Sequence, residues 1–270
     1  MYIGDIEILV STVNRKSLDF LYKMFPDFPK NEYKILIVNQ YSSEDLKLNS
    51  DFKNIRIINS KTLGSSKNRN IALENAIGKI IVFADDDIVY PENFIKILVK
   101  AYSENNTEVI FFKANKNSTT SLKKYSTRKI SNLGILKILS FGTIEITMNL
   151  EKIKQRGNFL LFDENFGINA IYKLGEEPIF LMDLKNKGCH FTFIPEILVY
   201  HEEDNSYDKL SINEKYFYFG AIYTRIFKYW FYLFIIIKIG YDLKDKKINV
   251  SNIYNLLNIA LKGRKSFLSN

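Results

Sequence analysis

The chain has 270 residues and a single cysteine, Cys189, so no disulfide bond can form within it. A lone cysteine is typical of proteins from a reducing compartment, and we therefore expect a cytoplasmic location. The first residues lack the basic segment of a secretory signal and contain the early acids Asp5 and Glu7 instead. We accordingly expect no secretory signal.

Long apolar runs are also missing. The longest uninterrupted one covers residues 229–237, between Lys228 and Lys238. It is far shorter than the roughly 20 residues that span a bilayer. No internal repeat is visible. Because 46% of the residues are hydrophobic and 25% are charged, the composition is that of a globular chain. The length predicts one large domain, alone or with an appendage.

The positive charge is unevenly distributed. The net charge is +8, and residues 206–270 contribute +7 through eleven Lys or Arg and four Asp or Glu. We predict a near-neutral domain over residues 1–205 and a basic, aromatic-rich helical tail over residues 206–270. The tail has two interpretations: an amphipathic helix on an anionic membrane surface, or a helix whose aromatic side chains pack on the body. Since its cations lie in an apolar segment, we do not expect nucleic acid as a partner.

Apolar strand-like segments alternate with helix-like segments along most of the chain. The predicted strands cover residues 6–11, 34–39, 55–59, 79–84, 108–114 and 190–194, and the predicted helices cover residues 16–25, 65–76, 92–104, 176–187, 216–241 and 249–268. Residues 115–160 are polar and predict an irregular connection with one or two extended segments. This alternation predicts an α/β fold with a mostly parallel sheet flanked by helices.

An apolar run over residues 80–84 ends in Asp85, Asp86 and Asp87. The run reads as a strand that is buried on both faces, and ligands of open α/β sheets collect at the carboxyl ends of such strands. Three adjacent carboxylates repel one another unless a cation lies among them. A divalent metal carrying phosphate is the economical explanation. The alternative is an acidic turn that caps the helix after Pro91.

Other segments accompany this acidic triplet. They are residues 10–15, the Gly-Ser-Ser-Lys-Asn-Arg-Asn segment at 64–70, residues 162–167 with 175–177, and residues 195–201. With Pro91 and Phe94 after the triplet, this order resembles the family 2 glycosyltransferases of the GT-A fold, over residues 6–203. Two departures stand out. The second strand ends in Asn39 and not in the usual acid, and Glu177 replaces the second residue of a Glu-Asp pair.

The resemblance implies a nucleotide-sugar site. Its nucleotide-contacting residues would be Thr12, Asn14, Arg15, Asn39, Arg69, Asp85 and Asp86. The amide of Asn39 can still hydrogen-bond a uracil edge. Thr12 and Asn14 have the alternative of capping the next helix, and Arg69, which would hold diphosphate or ribose, has the alternative of a surface salt bridge.

The resemblance also implies a metal site and a general base. Asp87 and His201 would bind Mn²⁺ or Mg²⁺, because hard oxygen ligands suit these ions. Glu177 would be the base that activates an acceptor hydroxyl, with Glu176 second. As alternatives, His201 is a surface histidine beside acids, and the two glutamates only favour the dipole of the helix that they open.

The implied protein is a metal-dependent inverting glycosyltransferase of hexosyltransferase type. Its donor would be a nucleotide-sugar, UDP-linked, and its acceptor a glycan or lipid-linked hydroxyl in surface polysaccharide synthesis, at the inner face of the plasma membrane. A nucleotidyltransferase is the alternative enzyme, although its Gly-rich loop after the first strand is absent. A non-catalytic relative that only binds a nucleotide-sugar is the other alternative.

Overall fold

The computed structural model describes residues 3–202, 207 and 209–269, so the predicted boundary at residues 205 and 206 lies outside the described residues. One sheet contains the strands β1 (Ile6–Val13), β2 (Lys34–Gln40), β3 (Ile55–Ser60), β4 (Ile80–Asp85), β5 (Val109–Asn115), β6 (Ile130–Ser131), β7 (Ile146–Asn149) and β8 (Phe191–Tyr200). The α-helices of the described ranges are α1 (Phe20–Met24), α2 (Ser65–Asn75), α3 (Phe94–Glu104), α4 (Ile135–Ile138), α5 (Leu150–Gln155), α6 (Glu176–Asn186), α7 (Ile212–Phe227), α8 (Phe231–Lys244) and α9 (Ile253–Ser269).

The strand order is β3-β2-β1-β4-β7-β5-β8-β6. Strand β1 pairs in parallel with both β2 and β4, and β5 pairs in parallel with β8. Strand β7 is antiparallel to both of its neighbours, β4 and β5. The expectation of an α/β fold with a mostly parallel sheet is therefore confirmed. The antiparallel strand comes from the polar connection over residues 115–160, where only extended segments were expected.

Helices cover both faces of the sheet, which explains why its central strands are almost continuously apolar. Along β1, Ile8 and Val10 point into a core that contains side chains of α1 and α3. Leu9 points into the opposite core, together with side chains of α2 and α6. The strand thus buries both of its faces, and its polar residues Ser11 and Thr12 lie near its carboxyl end.

Two local predictions need correction. Helix α1 begins at Phe20 and not at residue 16, and Asn14 accepts a hydrogen bond from Ser42 N, so Asn14 does not cap this helix. The segments predicted as residues 190–194 and 195–201 form the single strand β8. Its register against β5 shifts around Pro195, which has no N–H group for the ladder.

The tail packs on the body through α7. Arg225 on this helix donates to Asp163 at 2.9 Å and to Asp183 of α6 at 2.8 Å. At Gly175, just before α6, a Cβ atom would overlap the side chain of Ile222 on α7. Of the two interpretations of the tail, packing on the body is therefore the one that holds for α7.

Helix α8 folds back along α7. The rings of Phe227 and Phe234 stack beside the turn, and the Tyr216 hydroxyl donates to Asp242 Oδ2 at 2.9 Å near the other end of the pair. By length and composition alone, the stretch Ile212–Lys244, which contains an 18-residue window with a mean hydropathy of 1.2, is long and apolar enough to cross a membrane. In the fold it consists of helices of 16 and 14 residues, joined by a turn at Lys228. Each helix is shorter than the roughly 20 residues that a span needs.

Candidate active site

The candidate site lies where the carboxyl ends of β1 and β4 meet the start of α6. Parallel pairing places Ser11 opposite Asp85, so the residues that follow each strand are neighbours. Thr12 Oγ1 donates to Asp86 Oδ2, and Arg15 Nε donates to the same oxygen at 2.6 Å. The structure thus brings Thr12, Arg15 and Asp86 into one cluster, in which Arg15 offsets the charge of Asp86.

The loops after β1 and β2 are tied together by amide side chains. Asn14 has a φ of 55°, and its Oδ1 accepts from Ser42 N at 2.8 Å. Asn39 is fully buried, and its Nδ2 donates to Leu46 O at 2.8 Å and to Asn59 Oδ1 at 2.9 Å. The Asn39 amide is therefore engaged inside the protein, where it shapes the loop that follows β2. A contact between Asn39 and a nucleotide base stays a prediction.

Arg69 is the central cation of the site. Its side chain is 8% exposed, with Nη1 at 3.1 Å from Glu176 Oε1 and 3.6 Å from Glu177 Oε1. Its Nη2 lies 3.6 Å from Asp85 Oδ1. The alternative of a surface salt bridge is therefore wrong. Arg69 instead joins the end of β4 to the start of α6, which are distant in the sequence.

Glu176 and Glu177 have different surroundings although they are adjacent. Glu176 is 8% exposed and accepts from Ser65 Oγ at 3.0 Å. Burial, and then the charge of Glu177, raise the pKa of Glu176 to about 7. Glu177 is 19% exposed, and its Oε1 accepts from Thr143 Oγ1 at 2.5 Å. Of the two carboxylates, Glu177 is the more accessible, and its hydrogen bond with the Thr143 hydroxyl fixes its orientation.

The loop before α6 is hydrogen-bonded to the polar face of α2. Ser65 N donates to Ile168 O at 3.1 Å, and Ser66 Oγ donates to Phe166 O at 2.5 Å. Asn70 Nδ2 donates to Phe162 O at 3.0 Å. These bonds explain why a helix rich in Ser and Asn is buried, since its side chains satisfy the backbone of the loop.

Sequence reasoning missed Ser65 and Thr143 as contacts of the two glutamates. Ser65 lies within the Gly-Ser-Ser-Lys-Asn-Arg-Asn segment at 64–70, which was recognised, but no contact was predicted for its side chain. Thr143 lies in the segment that was expected to be irregular, on a short 3-10 helix (Thr143–Glu145). No periodic pattern marks it, and its contact with Glu177 spans 34 residues of sequence.

Asp87 and His201 meet at the edge of the sheet. His201 Nε2 lies 3.3 Å from Asp87 Oδ2, and the backbone N–H of His201 donates to Asn115 O at 2.8 Å. The hydrogen bond with His201, acting against the effect of burial, lowers the pKa of Asp87. His201 is buried, which contradicts its alternative as a surface histidine.

The residues present fit a divalent cation. Asp87 Oδ1 is buried and accepts no hydrogen bond from any residue that the structure describes. An unused carboxylate oxygen beside an imidazole nitrogen is a donor set that Mn²⁺ accepts, and a carboxylate oxygen suits Mg²⁺. In the described ranges, no group of three or more His, Cys, Asp or Glu side chains could hold a metal by itself. Asp87 and His201 would thus supply only part of a coordination shell, as in sites that complete it with water and substrate phosphate.

The carboxylates of this edge crowd one another. The pKa of Asp85 is raised, and the largest cause is the loss of hydration on burial. The positive charge of Arg69 lowers this pKa, whereas the negative charges of Asp87, Glu177 and Asp86 raise it further. Repulsion of this kind is relieved by a positive ligand. The cluster therefore has the electrostatic character of a site that receives a cation.

Comparison with known proteins agrees with this geometry. The family model Glycosyl transferase family 2 matches residues 7–173. An uncharacterized glycosyltransferase of Methanocaldococcus jannaschii is 28% identical over 91% of this chain and 90% of its own length. One of Rickettsia felis is 35% identical, over 27% of this chain and 13% of its own length.

Solved structures show the same fold. Staphylococcus aureus TarS (residues 1–349) superposes with a TM-score of 0.58 and 19% identity, over 82% of this chain and 64% of that one. Its complex with UDP-GlcNAc gives a TM-score of 0.59 and 18% identity, over 82% and 66%. This chain thus spans less than two thirds of those TarS chains. The fold and site define a glycosyltransferase of GT-A type. The chain belongs to glycosyl transferase family 2.

Proposed function

We propose that this protein is a metal-dependent inverting glycosyltransferase of hexosyltransferase type. It transfers a sugar from a UDP-linked donor to a hydroxyl group of a glycan or lipid-linked acceptor, with Mn²⁺ or Mg²⁺ as cofactor. Family membership supports the transfer of a sugar. The complexes of TarS with UDP-GlcNAc and with UDP support the choice of a UDP-linked donor.

One observation carries the proposal: Asp87, which pairs with His201, and Glu177, which approaches Arg69, both lie close enough to Asp85 to raise its pKa. Asp87 has an unused carboxylate oxygen beside His201 Nε2. Glu177 is accessible and is held by Thr143. Asp87 and His201 would hold the cation, which would supply Lewis-acid stabilisation of the negative charge on the leaving diphosphate.

The chain's own residues perform the remaining work. Glu177 accepts the proton of the acceptor hydroxyl as its oxygen attacks the anomeric carbon. A new C–O bond forms while the bond between the anomeric carbon and the UDP oxygen breaks, and UDP leaves with the electron pair. One displacement of this kind inverts the anomeric configuration. Arg69 holds both Glu176 and Glu177, so the base keeps its position through the reaction.

The tail supports a location at the inner face of the plasma membrane, where surface polysaccharide precursors would be its acceptors. Helix α8 and the residue just before it turn apolar side chains outward, with Trp230 67% exposed and Ile236 60% exposed. Lys228, which precedes α8, and Lys244, its last residue, are both exposed. Aromatic side chains flanked by lysines are typical of helices that lie in the interface of an anionic membrane.

A nucleotide-release screen of sugar donors with Mn²⁺ or Mg²⁺ tests the proposal. We expect slow release of UDP from one UDP-sugar, no release with EDTA, and a loss of at least about a hundredfold in Asp87→Ala. Asp51→Ala is the matched control, because Asp51 is exposed and far from these residues in the sequence. Wild-type activity in Asp87→Ala would contradict the metal assignment. Binding of UDP-sugars without any release would favour the non-catalytic relative, and no binding of them at all would contradict the choice of donor.

A further inference from the structure

A segment without acids extends from β5 to the short 3-10 helix that contains Thr143. Residues 109–144 contain seven Lys or Arg side chains and no Asp or Glu. The acids that bound the segment, Glu108 and Glu145, are both buried. Four of its cations are exposed and form no ion pair with any residue in the described ranges: Lys124, Arg128, Lys129 and Lys137. This local excess of positive charge attracts an anionic ligand.

Part of this charge lines one small cleft, which we call the basic cleft. Its lysines are Lys123, Lys124 and Lys137, and its wall includes the rings of Tyr125, Phe141 and Phe193. The rings of Tyr125 and Phe193 are stacked with centroids 6.0 Å apart. The cleft therefore offers ammonium groups beside a flat apolar surface.

The hydroxyl groups of the cleft are already engaged. Ser126 Oγ donates to Arg128 O at 2.8 Å, and Ser140 Oγ donates to Lys137 O at 2.7 Å. Lys123 Nζ donates to Glu145 Oε2 at 2.5 Å. The ammonium groups of Lys124 and Lys137 form no hydrogen bond with any residue that the structure describes, so they can contact a ligand. Such groups act as point charges for phosphate.

The basic cleft lies close to the proposed base. Lys123 is bonded to Glu145, and Glu145 follows Thr143 by two residues, so their Cα atoms are within about 7 Å of each other. Thr143 in turn donates to Glu177. Phe141 and Phe193 belong to the same core as the side chains of α2 and α6. Glu145 and Thr143 thus connect Lys123 of the cleft to Glu177.

We propose that the basic cleft binds a phosphate group of the acceptor, and that the acceptor is a phosphate-bearing glycan or lipid. This inference rests on the proposed function, because it assigns the acceptor side to the neighbourhood of Glu177. The phosphate lies against Lys124 and Lys137, and the carbon skeleton next to it lies on the aromatic rings. The phosphate fixes the acceptor so that its hydroxyl is presented to Glu177.

Binding of a defined probe tests the inference. The probe is a fluorescent hexamer of glycerol phosphate, measured by anisotropy with UDP and Mn²⁺ present to fill the donor side. We expect the double variant Lys124→Gln/Lys137→Gln to bind the probe about tenfold more weakly, since two charged contacts are lost. The matched control is Lys96→Gln/Lys100→Gln on α3, which has the same charge change on the opposite face of the sheet. It should stay within about twofold of the wild type.

A second arm separates the two sources of phosphate. Phosphatidylcholine vesicles with and without phosphatidic acid are sedimented with each variant. Weaker probe binding confined to the cleft variant supports a phosphate on a glycan. Weaker binding to phosphatidic acid vesicles, again confined to the cleft variant, supports a phosphate on a lipid. The inference would be overturned if the cleft variant and the α3 control variant lost binding equally. It would also be overturned if the cleft variant bound both the probe and the phosphatidic acid vesicles as well as the wild type does.

These outcomes are distinguishable from failure of the proposed function. If the wild type releases no UDP from any donor, the transferase proposal fails whatever the probe does. If the wild type and the cleft variant both release UDP at the same rate with water as acceptor, the donor side is intact. A difference in probe binding between them then reports on the basic cleft alone.

Discussion

Arg69 Nη1 lies 3.1 Å from Glu176 Oε1, and both side chains are only 8% exposed. The same guanidinium approaches Glu177, which follows Glu176 at the start of α6. A buried arginine between two consecutive carboxylates gives them unequal roles, since Glu176 takes the inner position and Glu177 is left at the accessible one. This difference in burial between Glu176 and Glu177 predicts different effects when each is replaced.

Replacement of the two glutamates by glutamine should separate their roles. Glu177→Gln removes the proton acceptor, so we expect UDP release to fall by about 10²- to 10⁴-fold. The Kd for UDP with Mn²⁺ should be nearly unchanged, because Glu177 is not assigned to the donor. Glu74→Gln, on the exposed face of α2, serves as the control. An unaffected rate in Glu177→Gln would exclude it as the base, and measuring Glu176→Gln in parallel shows whether its neighbour fills that role.

The raised pKa of Glu176 predicts a pH dependence of stability. Because its pKa is about 7 in the folded protein and 4.5 in the reference state, the folded protein binds the extra proton between these values. The free energy of unfolding should therefore fall as pH rises from about 4.5 to 7, by at most on the order of 3 kcal/mol from this group.

Urea unfolding at several pH values measures this slope. In Glu176→Gln the side chain can no longer titrate, so the decline of stability between these pH values should be smaller than in the wild type. Glu151→Gln, at an exposed position of α5, leaves the slope unchanged. Identical slopes in the wild type and in Glu176→Gln would show that Glu176 has an ordinary pKa.

Gly175 should be required for the contact between α7 and the start of α6. It has a φ of 104°, and a Cβ atom there would overlap Ile222. We expect Gly175→Ala to lower the free energy of unfolding by about 1–3 kcal/mol. Gly134→Ala is the control, because Gly134 has ordinary backbone angles and open space around it. Adding Ile222→Ala to Gly175→Ala should restore part of the loss, and full stability in Gly175→Ala alone would refute the packing argument.

The outer face of α8, together with Trp230 just before it, should determine membrane binding. Trp230, Leu233 and Ile236 are exposed, so a triple serine variant should leave the fold intact while it removes most of the apolar area that could enter a membrane. Flotation with vesicles that contain anionic lipid is the measurement. We expect the wild type to float and the variant to stay with the soluble fraction.

The control for flotation exchanges apolar residues elsewhere on the surface. Ile77 and Ile171 are exposed on the body, and serine at both positions should not change flotation. Absence of the wild type from the floating fraction would remove the membrane part of the proposed function. This design avoids deletion of residues 206–270, which would uncover the core that α7 shares with Phe166 and Tyr172.

The sequence predicted the strands of the sheet closely because their signal is local. Strands β2 and β4 are apolar runs that end at polar residues, and each agrees with its prediction within one residue. The first helix was predicted too long, since residues 16–19 form a turn that Asp19 and Ser17 stabilise. Strand β7 had no recognisable pattern, and its place between β4 and β5 depends on pairing with residues far away in the chain.

By itself, the sequence determined the α/β class, the position of the acidic triplet at a strand end and the family, because these depend on short-range patterns and their order. Only the tertiary structure decided that Arg69 lies between Glu176 and Asp85, that Thr143 orients Glu177, and that the tail divides into a packed α7 and an outward-facing α8. These contacts join segments that are far apart in sequence. They arise when burial selects one arrangement among many, and no local pattern encodes that choice.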